Sequence, residues 1–379
     1  MGAAKFGIRS MMVVAVPLLL SGAIAEAAPG AAAAGITSPG RTATFSVNGS
    51  LSGVAVTSAR NAWAVGTDGS GKTLIEHWNG TRWKRERSPS PGPNGAYQSL
   101  NAVAATSTRN AWAVGTDGSG KTLIEHWNGK AWKVAPRSSI AGGLYGVAAT
   151  SASNAWAVGV TGSGKGLILR WNGSAWRRAS SPSIAGAFEA VAATSAGNAW
   201  AVGFAGSPGG SGVPGNNTPL ILHWNGASWK RVSSNLPRGL GNLRGVAATS
   251  THNAWAVGCS GCLAEGAGAP LIERWNGTRW TRVSAPSKDA LAGLYGVTAT
   301  SAGNAWAVGT PVGGPGHTTG IAQWNGQTWK LVPSPNPGGQ VHVLGVAATS
   351  ARNAWAVGET EATTPFKGVI SHWNGSTWK

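Results

Sequence analysis

Acidic residues are scarce in this chain: 12 Asp and Glu stand against 30 Lys and Arg, for a formal charge of +18. Cysteine is limited to Cys259 and Cys262, and beside tryptophan the aromatics are 3 Tyr and 5 Phe. An enzyme needs acids, nucleophiles or metal ligands that converge, and this stock offers few. After the first 27 residues no segment approaches 18 consecutive apolar residues, so nothing further would span a membrane as a helix. Helical periodicity is missing from the same stretch. A phosphate-binding loop is present in letters only. AVGTDGSGKT, residues 64–73, spells G-x-x-x-x-G-K-T, but such a loop works only when a helix follows and turns its N-terminus to the phosphates. Here Thr73 is followed by LIEHWNG, which leaves five residues before an Asn-Gly turn. The same 20 residues, NAWAVGTDGSGKTLIEHWNG, recur from Asn110 to Gly129, and a third copy reads GVTGSGKG at 159–166. The letters are a by-product of a repeat, built from residues that any exposed hairpin loop uses.

The N-terminal segment has its own pattern. Lys5 and Arg9 precede an apolar run from Met11 to Leu20, and small residues follow at Ala23, Ala25 and Ala27. This reads as a secretory signal peptide over residues 1–27, so the chain is expected to be exported and extracellular, free or associated with the cell wall. Residues 28–41, rich in Ala, Gly and Pro, read as a flexible linker. Loss of Lys5, Arg9 and Glu26 with the signal leaves a charge of about +17, which predicts attraction to polyanions such as anionic envelope polymers.

Residues 42–379 are one repeated unit. NAWAVG begins at 61, 110, 154, 198, 253, 304 and 353, and WNG at 78, 127, 171, 224, 275, 324 and 373. A third Trp follows five residues after the second in every unit, which accounts for all 21 Trp. Each unit breaks into four short runs rich in Val, Ile, Trp and Ala, bounded by Ser, Asn, Gly or Pro. These are strand signals, and four antiparallel strands repeated at this spacing predict an all-β, seven-bladed β-propeller. Alternation within NAWAVG places Ala62, Ala64 and Gly66 on one face and Trp63 with Val65 on the other. The Trp of one blade is therefore expected against the Ala face of the next. TATFSVN, residues 42–48, alternates in polarity and precedes the first unit; it is expected to complete the last blade and fasten the ring.

The order of these runs resembles kelch and galactose-oxidase-like propeller blades. Trp63 and Gly66 stand where a kelch unit has its aromatic and its paired glycines, and Trp83 stands where it has its Trp. The chain departs from that pattern in carrying one Gly rather than two and a shorter final turn. WNGxxW also resembles the Asp-box hairpin of sialidase-type propellers, without its acidic residue or its spacing. Repeats of this composition are similar to those of secreted actinobacterial proteins. The resemblance supports the architecture and says little about activity.

Loop lengths separate two faces. The link from the inner-strand Val to the first Trp is nine residues in all units, and that from the second to the third Trp is five. The link from first to second Trp takes 15, 15, 15, 24, 20, 18 and 18 residues. In a four-stranded antiparallel blade the invariant links share one face and the variable ones the other, and the variable face is the expected binding face. Near the start of each inner strand stand Ser52, Asn101, Tyr145, Glu189, Arg244, Tyr295 and Leu344, a ring of mostly polar groups at the mouth of a central channel that suits a ligand such as a sugar. A second, repeated candidate site lies beside the WNG Trp: His77 with Trp78, His126 with Trp127, His223 with Trp224 and His372 with Trp373. The other reading of these Trp is packing, since a cross-strand aromatic pair also fixes a hairpin.

Catalysis is hard to assemble from these residues. None of the acids recurs blade by blade, and Glu189 with Arg244 and Tyr145 is the one acid–base group near the mouth. Galactose-oxidase-like copper chemistry would need two Tyr, two His and a Cys placed together, and no motif places them. Cys259 and Cys262, as CSGC in the variable loop of blade five, are expected to form a local disulfide in an exported protein. No metal site and no cofactor is implied. Basic residues cluster after the third Trp, as WKRER from 83, WRR from 176, WKR from 229 and WTR from 280, on edge strands where Lys and Arg discourage aggregation or hold an anionic surface. The expected function is that of a monomeric, non-catalytic binding protein for carbohydrate or cell-envelope polymer. The alternatives are a scaffold for another secreted protein and, more weakly, a glycan-processing enzyme; nucleic acid is disfavoured by export.

Overall fold

The computed structural model describes residues 45–136, 140–206, 217–234, 241–261, 268–286, 291–312, 320–335, 340–360 and 366–379. The expected signal peptide and linker, residues 42–44, Cys262 and much of the variable loops from blade four onward lie outside the described residues. Every regular element among the described residues is a strand. Five units form separate four-stranded antiparallel sheets with their strands in chain order. The first and last units share a seven-stranded sheet through the long strand Phe45–Ser58. Its first part, Phe45–Asn48, pairs with Lys367–Ile370 of blade seven, and from Gly49 onward it pairs with Asn61–Asp68 of blade one. Lys379 and His372 exchange backbone hydrogen bonds at 2.9 Å, so the outer edge of blade seven is supplied from both ends of the repeat region.

The sequence of the second strand explains its place. In blades one to six all of NAWAVG is buried. Trp63, Val65 and Ile75 pack against Leu100, Ala111, Ala113, Leu123 and Trp132 of the next blade, which is the large-against-small arrangement read from the alternation. Gly66 is required because the inner strand crosses it: a Cβ there would meet the carbonyl oxygen of Ser50. The other six second-strand glycines have the same relation to their own inner strands.

Each interface between blades is built around one tryptophan triad. Trp63 lies tilted on Trp127 at 5.0 Å and meets Trp132 edge to face at 5.1 Å, 87° between planes. Trp112, Trp156, Trp200, Trp255 and Trp306 hold the second and third Trp of the following blade in the same way. Trp355 of blade seven holds Trp78 and Trp83 of blade one. Offset and edge-to-face pairs add about 0.5–1.5 kcal/mol each beyond area burial, repeated here at every joint. The Nε1 atoms of the first and third Trp are buried without a hydrogen-bond acceptor, so these rings serve packing alone. The middle Trp differs: Trp78 Nε1 donates to Ala59 O at 3.0 Å, and its six counterparts donate likewise. That bond ties the WNG hairpin to the turn between first and second strands, so the two invariant links share one face.

Candidate functional site

On the other face, the links entering blades two, three and four lean on the loop of the blade before: Gln98 N donates to Gly71 O at 2.8 Å, Gly142 N to Gly120 O at 2.8 Å and Gly186 N to Gly164 O at 3.0 Å. The loop that spells a phosphate-binding motif lies here as a hairpin. Asp68 Oδ1 accepts from Ser70 N at 2.9 Å, Ser70 Oγ at 2.7 Å and Lys72 N at 3.0 Å, and the strand Thr73–Trp78 follows with no helix. The carboxylate occupies the loop's backbone N–H groups, which a phosphate would need.

The inner-strand residues expected at the channel mouth have a structural feature that the spacing alone does not show. Every inner strand carries a register shift at the predicted position, so that Ser52, Asn101, Tyr145, Glu189, Arg244, Tyr295 and Leu344 are each the extra residue of a β-bulge. Bulges re-aim a side chain out of the sheet pattern, and all seven residues are half-buried. The small residue that follows each one lets adjacent inner strands approach: a Cβ on Gly53 would lie 2.9 Å from Ala102 Cα, and one on Gly345 would lie 3.3 Å from Gly53 Cα. The bulges of neighbouring blades are thereby drawn together.

From blade two to blade seven, residues at or near these bulges interact from one blade to the next. Asn101 Nδ2 donates to Leu144 O at 2.7 Å. Burial, aided by the charge of Glu189, pushes the Tyr145 hydroxyl up to about 12. Burial raises the Glu189 carboxyl to about 7 against the opposing pull of Arg244. The Arg244 guanidinium lies over the Tyr295 ring at 4.6 Å, a cation–π contact. Thr310 Oγ1 donates to the Tyr295 hydroxyl at 3.3 Å and lies 3.1 Å from His342 Nδ1. Thr310 and His342 were not singled out by the sequence reading, although Thr310 directly follows the second-strand glycine and His342 is the second residue of the inner strand of blade seven.

The second set of predicted residues is engaged in the scaffold. His77 stacks on Trp63 at 4.0 Å with 16° between planes, and its Nε2 lies 2.9 Å from Asn61 Oδ1. Asn61 Nδ2 donates in turn to Thr57 Oγ1 at 2.7 Å. His126, His223 and His372 repeat both the stacking and the bond to Asn. Burial holds all four imidazoles below their usual pKa of 6.5, so near neutral pH they are uncharged. Arg170 and Arg274 take the same place as cations over Trp156 at 4.9 Å and Trp255 at 4.9 Å. Trp78, Trp127, Trp224 and Trp373 are the middle Trp of their triads, each with its Nε1 bonded to a turn carbonyl.

Three carboxyls were missed because they occur in three blades rather than seven. Glu76, Glu125 and Glu273 occupy one position of the third strand and are buried, where other blades have Leu169 or Leu222. Burial raises each to about 7. Glu125 accepts from Ser88 Oγ at 3.0 Å, whereas neither oxygen of Glu273 has a hydrogen-bond partner. Cys259 is buried with no free thiol, and its expected partner Cys262 is outside the described residues. Among the described residues no three His, Cys, Asp or Glu stand together as a metal would require.

No family model matches the chain, and no curated protein sequence resembles it. Among solved structures it is similar to the BP39L lectin from Burkholderia pseudomallei, with TM-score 0.56 and 15% identity over 86% of this chain and 97% of that one. YCF48 bound to D1 peptide aligns with TM-score 0.54 and 14% identity over 86% and 95%. YCF48 from Cyanidioschyzon merolae aligns with TM-score 0.52 and 17% identity over 86% and 96%. Likeness at this identity defines the fold: an all-β chain of repeated four-stranded blades, as in propeller proteins.

Proposed function

We propose that the chain is an exported, non-catalytic propeller of seven blades in a closed ring, and that it recognises carbohydrate or cell-envelope polymer at the mouth of its central channel. The observation that carries this reading is the run of bulged residues Asn101, Tyr145, Glu189, Arg244 and Tyr295, which sets an amide, two phenols, a carboxyl and a guanidinium on the inner strands of successive blades. Such a set offers donors and acceptors of both charges with aromatic surface, the mixture that a polyhydroxylated ligand uses. The similarity to a bacterial lectin supports a binding role over catalysis. The contact of Trp355 with Trp78 and Trp83 supports closure of the ring.

The second reading is a scaffold for a protein or peptide partner, favoured by one observation: a structure sharing this fold holds a peptide. A panel of glycans and cell-wall polysaccharides, tested at low and high salt with the wild-type chain and with Arg244→Gln, separates them. Salt-resistant binding to a defined sugar that Arg244→Gln weakens about tenfold or more supports the axial lectin. Binding that disappears with salt, or no glycan binding, overturns it in favour of a charged rim or a protein partner.

A further inference from the structure

A cleft of ≈ 300 Å³ opens between blades three and four, lined by Arg170, Arg177, Arg178, Ser180, Trp224 and Ser228 among others. It lies beside the WNG hairpins, away from the axial residues. Beside it, blade three differs from its sisters in one cross-strand pair. The residue before the second Trp faces the residue after the third Trp across the outer hairpin, and in blades one, two and four this pair is His77 with Lys84, His126 with Lys133 and His223 with Lys230. Those imidazoles are uncharged near neutral pH, so each pair carries one charge. Blade five pairs Arg274 with Thr281 and blade six pairs Gln323 with Lys330, again one charge each. In blade seven His372, likewise uncharged, is bonded to Lys379 through the backbone.

Blade three alone sets two permanent cations directly opposite one another, Arg170 and Arg177. Like charges in that relation repel, and blade three supplies no carboxylate to offset them: residues 142–185 contain neither Asp nor Glu. The Arg170 guanidinium is fixed between two indoles, 4.9 Å from Trp156 and 5.2 Å from Trp224. Arg177 and Arg178 stand exposed at the opening. The blade that departs from its sisters lines this cleft, and what it concentrates there is guanidinium without a carboxylate partner.

We propose that this cleft is a second binding site, selective for a sugar that bears a carboxylate. Planar guanidinium forks match a carboxylate with paired hydrogen bonds. Ser180 and Ser228 offer hydroxyls to those of a sugar, and Ala179, Ala227 and the edge of Trp224 supply apolar wall. The volume is at the lower end for a small-molecule site and suits one or two sugar rings. The proposal extends the expectation of a glycan ligand, but it rests on different residues from the axial mouth.

The sister blades provide the test. Arg170→His with Arg177→Lys converts blade three to the pair found in blade four, so the fold is kept and, with the repulsion removed, stability without ligand is expected to be equal or higher. Tetragalacturonate is titrated by calorimetry against the wild-type chain, this double variant and Arg244→Gln, with a neutral galactose tetramer and sodium sulfate as comparison probes. The expected result is one wild-type site for the uronate, about tenfold or more weaker binding of the neutral tetramer and of sulfate, and about tenfold or greater loss in the double variant. Arg244→Gln should leave that site intact. Equal binding of the neutral tetramer or of sulfate, uronate binding unchanged in the double variant, or no uronate binding overturns the proposal. If Arg244→Gln abolishes uronate binding and the double variant does not, the cleft is refuted while the axial reading stands.

Discussion

Trp355 of blade seven meets Trp83 of blade one edge to face, ring centroids 5.1 Å apart and planes at 90°. The pair reproduces, within a tenth of an ångström, the contact of Trp306 with Trp378 at 5.2 Å between blades six and seven. If the last and first blades form a joint like the others, Trp355→Ala and Trp306→Ala should cost the same, about 3–5 kcal/mol each. Denaturant unfolding of the two variants checks this. A Trp355→Ala cost well below its partner would mean that the final joint is weaker than the rest.

The imidazole of His77 is a structural donor to Asn61 Oδ1, which makes a graded series informative. Gln323 already does the same task in blade six, its Nε2 donating to Asn304 Oδ1 at 3.1 Å. His77→Gln should therefore cost less than about 1 kcal/mol, whereas His77→Leu leaves Asn61 Oδ1 without its donor and should cost about 1–3 kcal/mol. Thermal melts of both at pH 7.5 discriminate; a ligand-binding loss in His77→Gln with unchanged stability would return His77 to the candidate site.

Buried carboxyls make stability depend on pH in a definite direction. Glu76, Glu125 and Glu273 are raised from 4.5 to about 7, so the folded chain holds their protons more tightly than the unfolded chain. Their contribution is complete below pH 4.5 and is lost as pH rises through 7. The four lowered imidazoles act oppositely, withdrawing stability as pH falls below 6.5. Glu273→Leu, which copies Leu169 and Leu222, isolates one carboxyl: the variant should gain about 1–3 kcal/mol at pH 8 and little at pH 4.5. Unfolding free energies at the two pH values test this, and an equal gain at both would show packing rather than ionisation at work.

Gly66 offers a backbone test. A methyl group there meets the Ser50 carbonyl, so Gly66→Ala should cost more than about 2 kcal/mol, and Gly115→Ala the same in blade two. A neutral result by denaturant titration would mean that the inner strand yields at that crossing.

The repeat was legible because Trp63, Trp78 and Trp83 recur with fixed spacing, and the two-residue alternation of NAWAVG put Trp63 on the correct side of its blade. The bulged residues left a trace too, since each stands between an apolar residue and a Gly or Ala, the sequence pattern of a bulge at close approach. What the pattern hid was relational. Nothing in His77 announces that its ring lies on Trp63, because the stack joins strands separated by a loop. Glu76, Glu125 and Glu273 escaped a search for residues present in every blade. Arg177 read as one of the basic residues after the third Trp, and only the hairpin register sets it opposite Arg170. Cys262 and most of the longer variable loops fall outside what the structure describes.

The uniform joints bear on how such a chain arises. Because each blade presents one indole to the blade after it and an indole pair to the blade before, any unit fits any neighbour. A copying error in the gene that duplicates or deletes a whole unit delivers a piece whose joints already match. The unchanged 20-residue segments Asn61–Gly80 and Asn110–Gly129 are what such copying leaves behind. Divergence is then free to act wherever the joints are not involved, as at Arg177 and Arg178 or at the bulged residues of the inner strands. In this architecture novelty enters one blade at a time, and the others keep the scaffold standing while it does.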